Sequence, residues 1–177
     1  MAAGRIQLLV SDVDGVWTDG SVIYSGSKRE IKRFSVRDGL AVKIAQKSGI
    51  EVAVITGRRS TALERRCAEL GIRDMRQGVS DKLGAVKEML AERNFTFEQL
   101  CYIGDDLNDL PVINNAAISA APSDAAAEVL GAVRWKLDAR GGHGALRELV
   151  ERLLRARGEW DAIVESFHGA KITAESL

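Results

Sequence analysis

The stretch Leu8–Gly20, LLVSDVDGVWTDG, decides the fold that we expect for this chain. Its apolar start, Leu8 to Val10, is typical of a strand that is buried on both faces of a parallel sheet. The strand ends in Asp12 and Asp14, which leave an extended chain on the same side. Ligand sites of open α/β sheets lie beyond the carboxyl ends of such strands, so this position favours a role for the two aspartates in binding or catalysis. Taken alone, the two residues also fit a polar turn that closes the strand.

Composition favours one globular domain across residues 1–177. The 25 basic and 25 acidic residues give a formal net charge of zero, which offers no electrostatic footprint for nucleic acid. The N-terminus MAAGRIQ is too short and too polar for a signal peptide, and no apolar stretch approaches membrane-spanning length. Cys67 and Cys101 stand alone among apolar neighbours, which favours buried free thiols. We therefore expect a cytoplasmic enzyme or binding protein that has neither nucleic acid nor membrane as a partner.

Strand and helix patterns alternate along the rest of the chain. Buried strands are indicated at residues 51–55 and 100–104, with shorter strands near 73–76, 116–119 and 132–137. Helices are indicated by periodicity or capping residues at 40–49, 60–70, from 80 onward, 123–131 and 144–157. The alternation predicts an α/β fold with a doubly wound, mostly parallel, Rossmann-like sheet. The tail after about residue 158 is weakly patterned, and we expect it to be mobile.

A β-hairpin is indicated soon after the acidic strand. Two β-prone pieces, residues 22–24 and 30–34, flank the turn-forming sequence SGSK. A hairpin inserted at this point would stand over the edge of the sheet as a small lid.

The carboxyl ends of three predicted strands carry polar side chains that can bind a ligand or take part in catalysis. Asp12, Thr56 and Asp105 would share one edge of the sheet, and the helix that begins near residue 80 adds Lys82 in its first turn. The helix macrodipole disfavours a lysine there, so acidic neighbours are needed to explain it. Two unit charges about 4 Å apart interact by about 4 kcal/mol at an effective dielectric of about 20, so clustered acids need compensation. Lys82 and Mg²⁺, which prefers oxygen ligands, would supply it.

These groups fit the hydrolysis of a phosphate monoester through a covalent aspartyl-phosphate. Asp12 would attack phosphorus, and Asp14 would protonate the leaving alkoxide and then take a proton from water. The hydroxyl of Thr56 and the amide of Gly57 would hold phosphoryl oxygens. Lys82 would neutralise charge on the nucleophile and on the phosphate.

The predicted metal ligands are Asp12, Asp14 and Asp105. Asp106 and Asp109 would complete the metal shell or orient the lysine, although both could equally cap the following helix.

Arginines near the predicted site are candidates for substrate binding. Arg37 and Arg58 could bind the phosphate or a substrate carboxylate, because the guanidinium fork matches such groups. Exposed arginines that contact no ligand are equally common.

Four segments resemble the motifs of the haloacid dehalogenase superfamily of phosphohydrolases. They are DVDGVWTDG at Asp12, TGR at Thr56, the isolated Lys82 and GDDLND at Gly104, and their order makes the resemblance specific. Further features are similar to one family within it, the 3-deoxy-D-manno-octulosonate 8-phosphate phosphatases. These features are the hairpin in place of a cap domain, VRDG at Val36, ITGR at Ile55, RCAELGI at Arg66 and GGHGALRE at Gly141. The second likeness spans roughly residues 6–157.

The resemblance implies a Mg²⁺-dependent phosphatase that releases inorganic phosphate and the free eight-carbon sugar acid, a step of lipopolysaccharide synthesis. It also implies a homotetramer in which the hairpins pack together and a neighbouring subunit helps to cover each active site. One departure is His143, where family members often have arginine, and Arg140 and Arg147 are candidates to replace it. Two alternatives stay open: a phosphatase for nine-carbon ulosonic acid 9-phosphates of the sialic acid type, and a catalytically silent domain that serves oligomerisation.

Overall fold

The computed structural model describes residues 2–26 and 30–169. Within these ranges the strands are β1 (Leu8–Ser11), β2 (Ile23–Tyr24), β3 (Glu30–Ile31), β4 (Glu51–Thr56), β5 (Asp74–Gln77), β6 (Leu100–Ile103), β7 (Ile118–Ala121) and β8 (Trp135–Lys136). The α-helices are α1 (Val36–Lys47), α2 (Thr61–Leu70), α3 (Lys82–Glu92), α4 (Leu110–Ile113), α5 (Ala127–Ala132), α6 (Ala145–Ala156) and α7 (Trp160–Gly169). Short 3₁₀ helices cover Ala2–Arg5, Phe97–Gln99 and Leu107–Asp109.

Six of these strands form one sheet in the order β5-β4-β1-β6-β7-β8. Every neighbouring pair is parallel, and Ser11 at the end of β1 is in register with Val54 and Ile103. Helices α1, α2 and α6 bury apolar residues on one face, and α3, α4 and α5 on the other. The predicted doubly wound α/β fold is therefore confirmed. The carboxyl ends of β4, β1 and β6 lie side by side at one edge.

Strand β1 is central because apolar side chains leave it on both faces. Leu8, Leu9 and Val10 are fully buried, with Leu9 on the side of α1 and α6 and the other two on the side of α3. Burying such a side chain completely contributes about 1.5–3 kcal/mol. The packing holds the residues that follow β1 at a fixed position.

Helix α1 begins at the valine of VRDG rather than at residue 40, where we predicted it. Ser35 caps the helix by accepting a hydrogen bond from the Asp38 amide at 3.4 Å. Gly39 lies in the first helical turn, and the Arg66 guanidinium occupies the space of its missing side chain. An added Cβ would lie 2.1 Å from Nη2. The buried Asp38 carboxylate also accepts a 2.8 Å hydrogen bond from a main-chain amide of α6, so this motif joins two helices.

Helix α5 begins at Ala127, later than the predicted start at residue 123. The Ala126 amide donates to the Asp105 carbonyl oxygen at 2.9 Å, and the Asp124 carboxylate accepts from the Gly141 amide at 2.9 Å. The residues before the helix therefore connect loops at the active edge instead of extending the helix.

The weakly patterned tail after residue 158 contains a helix, Trp160–Gly169, that we did not predict. Trp160 at the start of α7 is buried, and the guanidinium carbons of Arg147 and Arg155 lie 5.0 and 5.5 Å from its ring centroid. This aromatic anchor docks the helix on α6. Residues 170–177 lie outside the described residues.

The predicted hairpin is confirmed by the antiparallel pairing of β2 with β3. Its apolar side chains Val22, Ile23, Tyr24 and Ile31 are exposed, unlike those of the main sheet. None of the helices within residues 2–26 and 30–169 has the combination of length and apolar character that a membrane crossing requires.

Candidate active site

The strand ends converge on a cavity of about 250 Å³ at the carboxyl edge of the sheet. The residues that line it are Asp12, Asp14, Gly20, Thr56, Gly57, Arg58, Lys82, Asp105, Asp106 and Asn108. Most residues that we predicted for the site are therefore brought together.

Asp12 is held in the floor of this cavity. Its amide donates to the Ile103 carbonyl oxygen at 3.0 Å, which ties the residue to β6. Its Oδ1 lies 3.0 Å from the Nζ of Lys82, and both side chains are almost completely buried. Burial, opposed by Lys82 and reinforced by Asp109, raises the pKa of Asp12 from 3.8 to about 6.

Lys82 occupies the first position of α3, where the helix dipole is unfavourable to it. Its Nζ lies 2.6 Å from Oδ1 of Asp109 as well as 3.0 Å from Asp12. The Asn108 amide oxygen accepts from it at 3.3 Å. Burial alone would lower the pKa of Lys82, but the two carboxylates outweigh burial and raise that pKa. The lysine is therefore a fixed positive charge beside Asp12.

Asp109 is completely buried and has both carboxylate oxygens occupied. Oδ1 accepts from Lys82 and from the hydroxyl of Tyr102, and Oδ2 accepts from the amides of Asp105 and Asp106 at 3.0 and 3.3 Å. The residue therefore orients the lysine and the loop after β6. Sequence reasoning missed Tyr102, although a tyrosine within a buried strand needs a partner for its hydroxyl.

Three carboxylates form a cluster that fits a divalent cation. Oxygens of Asp12, Asp105 and Asp109 lie within 4.8 Å of one another. Burial, followed by the charges of Asp12 and Asp109, raises the pKa of Asp105 from 3.8 to about 8. Lys82 balances one of the three charges, so two negative charges remain, which match one Mg²⁺. Because Asp109 is fully engaged by protein donors, Asp12 and Asp105 are the residues that would hold the metal.

Gly15 leaves the space that this cluster needs. Its φ is +86°, and an added Cβ would lie 2.0 Å from Oδ2 of Asp105. An added Cβ at Gly141 would in turn lie 2.0 Å from the Gly15 carbonyl oxygen, and the Gly142 amide donates to Val16 at 2.9 Å. The glycine-rich segment therefore packs directly against the turn that carries the acids.

His143, the departure from the family pattern, is exposed, and its Nδ1 lies 2.7 Å from the Gly141 carbonyl oxygen. Arg140 pairs with Asp124 at 3.1 Å, and Arg147 forms an ion pair within α6. None of these three side chains is among those that line the cavity, so the structure supports neither arginine as a replacement within one chain.

Asp14 lines the cavity, and its carboxylate lies outside the acidic cluster of Asp12, Asp105 and Asp109, so its role as a metal ligand stays a prediction. Its Oδ1 contacts the Nζ of Lys32 from the hairpin, and its Oδ2 lies 3.9 Å from Nε of Arg58.

The buried Thr56 hydroxyl accepts a hydrogen bond from the Arg58 amide at 3.2 Å, which leaves the hydrogen of the hydroxyl available to a phosphoryl oxygen.

Of two other predicted residues, Arg37 lies away from the cavity and Asp106 lines it. Arg37 is exposed at the start of α1 and lines a separate groove with Val36 and Arg66, so it does not reach the cavity of its own chain. Asp106 accepts from the Leu107 amide at 2.7 Å and therefore caps the short helix that follows, one of the two roles considered for it.

Known proteins resemble this chain in sequence and in fold. The sequence model of the haloacid dehalogenase-like hydrolases matches residues 26–117. The 3-deoxy-D-manno-octulosonate 8-phosphate phosphatase KdsC of Escherichia coli strain K12 is 42% identical over 159 residues, which are 90% of this chain and 85% of that protein.

Solved structures agree over nearly the whole chain. The 3-deoxy-D-manno-octulosonate 8-phosphate phosphatase of Moraxella catarrhalis, crystallised with magnesium, phosphate and KDO, has a TM-score of 0.92 at 36% identity, covering 94% of this chain and 95% of that one. The cobalt-bound deoxy-D-mannose-octulosonate 8-phosphate phosphatase of Haemophilus influenzae has a TM-score of 0.88 at 38% identity, covering 99% and 98%.

Proposed function

Because the chain belongs to the haloacid dehalogenase-like hydrolase family, we propose that it is a Mg²⁺-dependent phosphatase of 3-deoxy-D-manno-octulosonate 8-phosphate. The products are the free sugar acid and inorganic phosphate, and the reaction is a step of lipopolysaccharide synthesis. One observation carries the proposal: Asp12, Lys82 and Asp105 converge at the end of β1 in a chain whose relatives have this activity in their names.

Asp12 is the nucleophile of the first step. Its carboxylate oxygen attacks phosphorus while the bond from phosphorus to the sugar oxygen breaks, which gives an aspartyl-phosphate. Asp14, two residues along the same turn, donates its carboxyl proton to the departing oxygen. Lys82 offsets the negative charge of Asp12 and the phosphoryl group, and Thr56 and Gly57 bind phosphoryl oxygens. When bound by Asp12 and Asp105, Mg²⁺ supplies positive charge against the transferring group.

A water molecule completes the reaction in the second step. Asp14, now a carboxylate, takes a proton from this water as the water oxygen attacks phosphorus. The bond between phosphorus and Asp12 breaks, so inorganic phosphate leaves and both carboxyl groups return to their starting states.

A comparison of two phosphosugars with Mg²⁺ present tests the substrate. We expect kcat/KM for the eight-carbon 8-phosphate to exceed that for a nine-carbon ulosonic acid 9-phosphate by about 10- to 200-fold, because one additional group in a confined site costs about 1–3 kcal/mol. Faster turnover of the nine-carbon compound would mean that it is the substrate, and the assignment as a phosphatase would stand. No phosphate release from either compound would favour a catalytically silent domain.

The proposal includes a homotetramer that assembles through the hairpins. An isolated two-stranded hairpin is at best marginally stable, and the apolar side chains of this one are partly in solvent. Ile23 and Ile31 are each 48% exposed, and Tyr24 is 70% exposed. Contact with hairpins of other subunits would cover these side chains, and a neighbouring subunit would also help to close the cavity.

An acidic substitution in the hairpin tests this assembly. We expect Ile23→Asp to convert the tetramer to monomers, because a carboxylate at a packed apolar contact must be desolvated. Light scattering coupled to size-exclusion chromatography measures the mass. Val164→Asp, at a valine 38% exposed on α7, is the matched control and should remain tetrameric. An Ile23 variant that stays tetrameric would place the interface elsewhere.

The proposal assigns the enzyme to the cytoplasm. Its support is that Cys67 and Cys101 are both buried free thiols, which suits a reducing compartment.

A further inference from the structure

Lys32 of the hairpin is buried at the active site and has no part in the mechanism described above. Its side chain is only 1% exposed, although the apolar residues of the same hairpin are largely in solvent. Its Nζ contacts Oδ1 of Asp14 and lies 2.7 Å from Oε1 of Glu30. Lysines are rarely buried unless they are paired, so these two carboxylates account for its position.

Four charged side chains form what we call the hairpin network: Asp14, Glu30, Lys32 and Arg58. Arg58 closes the network, with Nη2 3.4 Å from Oε2 of Glu30 and Nε 3.9 Å from Oδ2 of Asp14. When Asp14 is ionised, as it is after it has donated its proton, two positive and two negative charges balance, so the network then needs no further counter-ion. It is also separate from the acidic cluster around Asp12 and joins the hairpin to the turn after β1.

The two oxygens of Asp14 have different surroundings within this network. Oδ1 receives the hydrogen bond from Lys32. Oδ2 is buried, and no residue in the described part of the chain donates a hydrogen bond to it; the Arg58 Nε is too distant at 3.9 Å. A buried polar atom without a partner is uncommon and needs an explanation. Proton exchange with a bound substrate provides one, because that exchange requires a carboxyl oxygen that the protein itself does not occupy.

We propose that Lys32 is a positioning residue for acid–base catalysis: by holding Oδ1 of Asp14 it directs Oδ2 toward the sugar oxygen, and it does so from the hairpin. This inference rests on the proposed function. In the first step the proton on Oδ2 moves to the sugar oxygen as the bond to phosphorus breaks. In the second step Oδ2 takes a proton from the attacking water, and Lys32 keeps its own protons throughout. Proton transfer is therefore efficient only when the hairpin is seated on the turn.

Leaving groups of different basicity separate this role from a structural one. A sugar alkoxide needs a proton in order to leave, whereas 4-nitrophenolate leaves readily without one. We expect Lys32→Met to lower kcat/KM for the sugar phosphate by about 100-fold, the lower range of acid–base effects, and kcat/KM for 4-nitrophenyl phosphate by less than about threefold, because kcat/KM reports formation of the aspartyl-phosphate and not the hydrolysis step that both substrates share. Lys32→Arg keeps a charged donor and should recover sugar phosphate turnover to within about tenfold of the unchanged protein.

Two further variants control for charge and folding. Arg33→Met alters the next residue, which is 69% exposed and pairs with Asp19 at 2.7 Å, and it should leave both substrates unaffected. Lys32→Met combined with Glu30→Gln removes one charge of each sign, so it keeps the balance of the hairpin network but loses the contact to Asp14. It should show the same selective loss on the sugar phosphate.

Three outcomes distinguish the inference from the proposed function. Equal losses of kcat/KM on both substrates, in the single and in the double variant, would make Lys32 a structural residue and overturn the inference. Unchanged turnover of the sugar phosphate in Lys32→Met would also overturn it. Failure of the unchanged protein to hydrolyse any phosphate ester would instead refute the proposed function.

Discussion

Replacing Asp12 by asparagine is expected to reduce phosphate release by at least about 10⁴-fold while the protein remains folded. The amide has nearly the same shape as the carboxylate but cannot form the acyl-phosphate bond. Acid–base help from Asp14 and charge from Lys82 would remain, but neither supplies a nucleophile. Measurement of kcat for phosphate release at saturating sugar phosphate and Mg²⁺ gives the size of the loss.

The same Asp12→Asn substitution should not destabilise the metal-free protein. The raised pKa of Asp12 shows that its ionised form is disfavoured in the folded state, chiefly by burial. Lys82 keeps Asp109 as a partner at 2.6 Å, so the substitution leaves no buried charge alone. We expect a melting temperature in the presence of a chelator that equals or exceeds that of the unchanged protein.

Asp161→Asn is the matched control, because that side chain is fully exposed on α7 and should affect neither activity nor stability. Turnover of the Asp12 variant above about 1% of normal would exclude Asp12 as the nucleophile. A large loss of turnover together with a lowered melting temperature would show that the residue mainly supports the fold.

The position of the site was predictable because it depends on strand ends. Runs such as Leu8 to Val10 are apolar at every position, and in a chain whose strands and helices alternate this is typical of a strand with two buried faces. In a parallel sheet the ends of β1, β4 and β6 must then face the same way. The local signals in the sequence are therefore sufficient to bring Asp12, Thr56 and Asp105 to one edge.

Contacts between distant segments could not be predicted in the same way. Lys32 in the hairpin reaches Asp14, and Tyr102 within an apolar strand reaches Asp109. In sequence the first resembles any surface lysine and the second any core aromatic residue. Their roles depend on how the hairpin and β6 are placed in three dimensions, which neither residue's neighbours in the sequence specify.

The start of α1 was misplaced and α7 was not predicted, for a related reason. Helix α1 includes Gly39 although glycine disfavours helix interiors, and the Arg66 side chain from α2 occupies the space above this residue. The weak pattern after residue 158 concealed α7, whose anchor is the single residue Trp160 packed against arginines of α6. In both places a tertiary contact outweighs the local preference of the sequence.

Removal of Mg²⁺ is expected to abolish turnover and to make the stability of the protein depend strongly on pH. The pKa values of Asp105 and Asp12 are raised in the folded state, to about 8 and about 6, from 3.8. Between these values and 3.8 the folded state binds more protons than the unfolded state, so the free energy of unfolding falls as the pH rises. The slope is at most about 1.4 kcal/mol per pH unit for each group. Metal-free protein should therefore be most stable near about pH 4–5 and least stable above about pH 8.

Magnesium reverses this trend because it replaces protons on the same oxygens. Binding releases protons, so the affinity should increase from about pH 5 to about pH 8. A Mg²⁺ concentration of about 100 times Kd stabilises the folded state by about 2.7 kcal/mol. Melting curves recorded at each pH with Mg²⁺ and with chelator should therefore show a difference in melting temperature that widens as the pH rises. Asp105→Asn should lose the difference in melting temperature between Mg²⁺ and chelator and most of the pH dependence of stability, whereas Asp161→Asn should keep both. A rise in melting temperature with Mg²⁺ that is independent of pH, or one that survives in the Asp105 variant, would mean that the metal binds away from this cluster.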